Sequence, residues 1–209
     1  NRLPVRKREW KMTISIEDLL NSIVESLDRI DYIKTEDIPN IDLYMDQVTT
    51  LMDSKLKHAT RYPEEDKILT KTMINNYVKS HLLPSPEKKK YSKDHIMALI
   101  MIYFFKNIIS INDVTKLLTP LFDSYFHNEE LSLESIINSF LDYIKTCNLQ
   151  DSILKEFDDS KKIFEKTQVD DKDYLETLGL ITMLSYDTFV KKMLIEKLVD
   201  SLPDVDKKE

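Results

Sequence analysis

A single glycine, Gly179, stands in a chain of 209 residues. Glycine supplies the left-handed backbone of tight hairpins and the close approach of phosphate-cradling loops. A chain with one glycine is therefore expected to be built of helices joined by turns of Pro, Asn, Asp and Ser. The fold class that follows is all-α, with at most one small hairpin. The 42% hydrophobic and 32% charged residues are an ordinary globular composition, and the length allows one domain of ample core or two small ones. The lone Cys147 excludes an intramolecular disulfide and a thiolate-rich zinc site; it fits a reducing compartment, so the expected location is cytoplasmic. No apolar run approaches the roughly 20 residues a membrane helix needs, the longest being about half that, Ile96 to Phe105. Arg2, Arg6, Lys7 and Arg8 precede no apolar segment, so no signal peptide is expected.

The stretch from Leu69 to Leu118 organises the rest. Met73, Ile74, Tyr77 and Val78 recur at helical spacing, with Thr70 placed to cap the start. The opposite face carries Lys71, Asn75 and Lys79 at i, i+4 and i+8, flanked by Thr72, Asn76 and Ser80. Such a stripe suits the DNA major groove: lysine reaches phosphates or guanine acceptors, asparagine pairs bidentately with adenine, and Thr and Ser allow close approach. The helix is expected to stop near His81, since Pro84 disfavours helical geometry at Leu83. Glu87, Lys88, Lys89, Lys90 and Tyr91 then read as a basic wing, a short hairpin touching backbone phosphates. Ser92 is placed to cap a core helix that is apolar on nearly every side from Ile96 to Phe105, with Asp94 in its first turn. Ser110 and Asp113 open another helix carrying Val114, Leu117 and Leu118.

Thr72 to Leu118 resembles the DNA-binding half of MerR-type winged-helix regulators, on the Leu82, Leu83, Pro84 turn, the Lys89, Lys90, Tyr91, Ser92 wing end and the short helix from Ile111 to Leu118. More narrowly, Leu43, Tyr44, Met45, Asp46 and Gln47, followed by Thr70 to Lys79 and Lys88 to Ser92, are similar to a bacterial family, domain of unknown function 1836. The resemblance implies a MerR-like winged helix-turn-helix that contacts double-stranded DNA; because one short helix and one wing give few contacts, a homodimer is expected. Its contacts would come from Lys71, Thr72, Asn75, Asn76, Tyr77 and Lys79 on the helix and from Lys88, Lys89, Lys90 and Tyr91 on the wing. Tyr77 matches the MerR pattern, whereas Asn75, Asn76 and Lys89 replace its arginine, tyrosine and arginine, so lysine point charges stand in for guanidinium forks and no base preference carries over.

The formal charge of -7 and pI near 5.2 conceal a segregation. Lys67, Lys71, Lys79, Lys88, Lys89, Lys90 and Lys93 crowd one segment, while acids such as Asp158, Asp159, Asp170, Asp171 and Asp173 dominate after Pro120. Three regions are expected: a basic flexible arm over residues 1–14, a winged helix-turn-helix domain over 15–119, and an acidic helical domain over 120–209 for dimerisation or partner binding. In the second, one helix runs from Ser15 through Leu19, Leu20, Ile23, Val24, Leu27 and Ile30, and another starts at Pro39 and Asn40. The loop from Lys57 to Lys67 is long for a helix-turn-helix turn. The third holds a Ser132-capped helix, a helix through Phe157, and one long helix or two from Leu175 to Leu198.

Catalytic signatures are missing: no glycine-rich phosphate loop, HExxH, paired Cys motif or serine elbow occurs. The histidines, His58, His81, His95 and His127, are scattered, and only His127 has local acids, Glu129 and Glu130, a weak metal signal. His95 is expected on the helix surface near the wing and Cys147 as a small buried hydrophobe. A sequence-specific DNA-binding transcriptional regulator, not an enzyme and without cofactor or metal, is the expected function. The alternative is a non-catalytic protein-interaction module on the same winged scaffold. Neither an effector nor an operator is legible.

Overall fold

The computed structural model describes residues 16–27, 35–57, 60–165 and 172–204, which are mostly helical. The expected basic arm, His58, Asp170 and Asp171 lie outside them. The described residues fall into two compact units, those within 30–147 and 192–209 in one and those within 1–29 and 148–191 in the other.

The larger unit is organised around α4 (Lys93–Lys106), whose Ile96, Met97, Ala98, Leu99 and Ile102 are all but inaccessible to solvent. This is the apolar run picked out in the sequence, and it packs on α5 (Ile111–Tyr125) and α6 (Leu133–Thr146). Val48, Met52 and Leu56 of α2 (Met45–Leu56), Ile74 of α3 (Lys71–Lys79) and the Leu82–Leu83 turn join the same core. Burying each such side chain contributes roughly 1.5–3 kcal/mol. Among the described residues the strand content is one antiparallel pair, β1 (Leu43–Tyr44) with β2 (Lys90–Tyr91). The smaller unit contains α1 (Ile16–Leu27), α7 (Leu149–Ile163) and the first part of α8 (Lys172–Asp200), with Leu20, Phe157 and Leu180 in its core.

The structure redraws the expected boundaries. No break falls at Thr119 and Pro120: α5 runs through Pro120, because Val114, Leu118 and Phe122 form one continuous buried face that offsets the missing hydrogen bond of an exposed proline. Nor do residues 15–119 form one domain, since α1 packs on α7 in the smaller unit. Residues 120–209 are likewise divided, α6 and the end of α8 belonging to the larger unit, where Val199 is buried. The helix expected from Pro39 starts only at Met45, because Leu43 and Tyr44 are taken into the strand pair. From Lys172 to Asp200 there is one helix, not two.

Candidate nucleic-acid interface

The cap on α3 is the predicted one: Thr70 Oγ1 accepts the Met73 N–H at 3.2 Å. Ile74 is buried and Met73 and Val78 half-buried, leaving Lys71, Thr72, Asn75, Asn76, Lys79 and Ser80 on the exposed side. The helix ends before Pro84 has any influence. His81 adopts a left-handed φ of 60°, the role a glycine commonly fills at a helix C-terminus, and donates its N–H to the Val78 carbonyl at 3.1 Å. The Leu83 N–H then reaches the Tyr77 carbonyl at 3.0 Å, and Leu82 and Leu83 turn into the core.

The lysine run forms a two-residue turn. The Lys90 N–H donates to the Glu87 carbonyl at 2.8 Å, and Lys88 and Lys89 between them have φ of 47° and 65°. Positive φ at both central positions is the type I′ geometry that matches strand twist. Lys88 and Lys89 are exposed at its tip and Lys90 is half-buried. Beyond the local Glu87–Lys90 bridge, β2 pairs with β1, far upstream, in the register Leu43 with Tyr91 and Tyr44 with Lys90.

Two contacts connect this turn to α3 through the start of α2. Lys71 forms an ion pair with Asp46, and Lys90 Nζ lies 5.4 Å from the centre of the Tyr44 ring. Gln47 Oε1 accepts the Tyr44 N–H at 2.8 Å, tying the first turn of α2 to the strand. Tyr44 and Asp46 belong to the motif that carries the family resemblance, yet nothing local in sequence assigns their side chains a role, because their partners Lys90 and Lys71 are distant along the chain.

Two of the ten residues expected at the interface do not reach the surface. Tyr77 is 7% exposed and Tyr91 3%, and burial raises both phenol pKa values. They are core residues of α3 and β2, as the apolar spacing around Tyr77 itself requires. The other eight are exposed or, for Lys90, half-buried.

His95 also departs from expectation, being 3% exposed rather than on the helix surface. Its Nδ1 accepts the Ser92 N–H at 3.0 Å and lies 2.8 Å from the Ser92 hydroxyl, so an imidazole fills the place that Glu or Gln takes in a capping box. The ring packs edge-to-face on Tyr91 and Phe126, at centroid distances of 5.5 and 4.7 Å. Burial, reinforced by His127, lowers its pKa to about 4; the Pro84 and Ser85 backbone and Asp94 pull weakly the other way, and Nε2 has no partner of good hydrogen-bond geometry.

His127 does not gather Glu129 and Glu130; its Nδ1 lies 3.2 Å from Asp94 Oδ2, which also accepts the His127 N–H at 2.8 Å. Among the described residues no group of three His, Cys, Asp or Glu side chains is placed to hold a metal. Cys147 is exposed rather than buried, at the C-cap of α6. No helix among the described residues is long and apolar enough to cross a membrane.

No curated protein and no solved structure matches the chain. One protein family does, over residues 33–140, which take in β1, α2, α3, the lysine turn, β2, α4 and α5. That span is just over half of the 209 residues and contains every side chain of the site described above, and on it the chain belongs to the family described as Domain of unknown function (DUF1836).

Proposed function

We propose that the larger unit is a winged-helix DNA-binding domain of the MerR-like kind and that the chain acts as a cytoplasmic, sequence-specific transcriptional regulator. In this reading the exposed side of α3 enters the major groove. Asn75 and Asn76 supply amide pairs to base edges, Lys71 and Lys79 supply charge, and Thr72 lets the helix approach closely. Lys88, Lys89 and Lys90 contact the phosphate backbone from the turn beside it. The observation that carries the reading is the pair of contacts Lys71 with Asp46 and Lys90 with Tyr44, which brings the start of a six-residue polar face and a lysine turn to the same β1–α2 junction. One short helix and one turn cover little of a duplex, so tight binding takes two copies on a two-part site.

Selection of bound duplexes from a random-sequence pool by the full chain, followed by gel retardation of the winners, tests this. Replacing Lys71, Asn75 and Lys79 with alanine is expected to abolish retardation with helicity by circular dichroism unchanged; undiminished binding rejects the proposal. Replacing Lys88, Lys89 and Lys90 is expected to weaken binding to all sequences alike and to flatten the salt dependence by about 0.9 in log-log slope for each phosphate no longer neutralised.

A further inference from the structure

Between α4 and α6 the larger unit has a cleft of about 540 Å³, within the range of small-molecule sites of roughly 300–1,000 Å³. Met97 and Ile137, both buried, are among the residues that line it. Phe104, Phe140 and Tyr143 stand at its mouth, and they are exposed. The 3-10 turn Thr35–Asp37 packs on α6 and brings Thr35 into the wall.

The chemistry of the lining is one-sided. Among the described residues no charged side chain contributes to it. The Thr35 hydroxyl donates its proton to Asn138 Oδ1 at 2.7 Å, and the Tyr143 hydroxyl is the other polar side-chain group among the described lining residues. A charged or strongly polar guest would lose its hydration here without compensation, which costs several kcal/mol for an ion even in a relaxed site. A hydrocarbon-rich guest gains by the area it removes from water, and the aromatic rings and methionine thioethers of the wall offer it adaptable, polarizable surfaces.

We infer that this cleft is a binding site for a small, neutral, predominantly hydrocarbon molecule, seated between Met97 and Ile137 and held at the mouth by Phe140 and Tyr143. The inference is independent of any role in DNA binding. It is tested on the full chain with two fluorescent probes that share a skeleton and differ by one sulfonate, neutral phenylnaphthylamine and anionic anilinonaphthalenesulfonate. Saturable one-to-one binding of the neutral probe is expected, weaker by roughly tenfold or more for the anion, since no cation meets it.

Phe140→Glu and Tyr143→Glu place charge at the exposed mouth without touching the core, and each is expected to lower affinity for the neutral probe by about tenfold at unchanged thermal stability. Unaltered affinity in both variants, equal affinity for the two probes, or no saturable binding overturns the inference. So does self-association of the free chain that Phe140→Glu abolishes, because a second copy then covers the cleft.

Discussion

Lys90 and Tyr44 face each other across the β1–β2 register, and the lysine ammonium rests 5.4 Å from the centre of the tyrosine ring. Tyr44 is 55% exposed, so the contact is made at the surface and is worth about 0.5–1 kcal/mol. It nonetheless restrains the base of the lysine turn. Tyr44→Ala is expected to cost no more than about 1 kcal/mol in urea denaturation while lowering DNA affinity about two- to fivefold, the same energy expressed as a binding ratio. Tyr44→Phe keeps the ring and is expected to behave like the parent in both measurements.

Asp46 holds Lys71 in an ion pair at the surface, where such pairs contribute little to stability. A duplex competing for that lysine has to displace the carboxylate or tolerate it beside a phosphate. Asp46→Asn is therefore expected to leave stability within about 0.5 kcal/mol and to tighten DNA binding, with a steeper salt dependence of the binding constant. Weaker binding by Asp46→Asn would mean that the carboxylate positions Lys71 instead of competing for it.

Lys88 and Lys89 occupy a type I′ turn, where Asn-Gly is the favoured pair, and each holds a conformation unfavourable for a residue with a Cβ. Lys89→Gly relieves that strain at the cost of a more flexible unfolded chain. The expected net gain is roughly 0.5–1 kcal/mol of stability by chemical denaturation. DNA affinity is expected to fall in the same variant, separating the charge from the turn geometry.

His95 makes stability depend on pH. Its folded pKa of about 4 lies below the ordinary 6.5, because burial of its ring against Tyr91 and Phe126, with His127 nearby, outweighs the opposing pull of the Ser85 and Pro84 backbone and Asp94. Between these two values the unfolded chain binds the extra proton. Stability from the neutral ring is therefore complete above about pH 6.5, falls as the pH drops toward 4, and levels off below, a loss of up to about 3 kcal/mol. His95→Gln keeps an acceptor for the Ser92 N–H and is expected to flatten the profile of urea midpoints between pH 7 and 4.5 by about that amount.

Gly179 lies inside α8 and makes no turn. A Cβ there would meet Phe164 Cε2 at 3.5 Å and Ile163 Cδ1 and Ser160 Cβ at 3.9 Å, ordinary van der Waals separations. Gly179→Ala is expected to stabilise the protein by roughly 0.5–1 kcal/mol through helix propensity and a restricted unfolded state, as read by thermal unfolding.

What the sequence made visible is what is local. Thr70, Ser110 and Ser132 each sit three residues before the N–H they cap, and the polar and apolar sides of α3 follow from spacing alone. The apolar run from Ile96 to Phe105 could only be the central helix. The single glycine did exclude a fold rich in tight hairpins, yet among the described residues the left-handed positions fell to His81, Lys88, Lys89 and His127, none of which a reading of glycine could find. His95 was misplaced because its capping partner is local but its burial comes from Phe126, which approaches only through α5. The pairing of β1 with β2 and the packing of α1 on α7 join segments far apart in sequence, and no periodicity reports on them.

That pairing bears on how the molecule comes to be. Two residue pairs are too few to hold a strand by themselves, and closing the long loop between them costs chain entropy that only the docking of α2 and α4 can offset. The ladder thus depends on the packed core around it, and the basic turn at its end keeps its geometry only where α2 and α4 are docked. A peptide spanning α3 and the lysines but lacking Leu43 and Tyr44 would carry the charges without the shape.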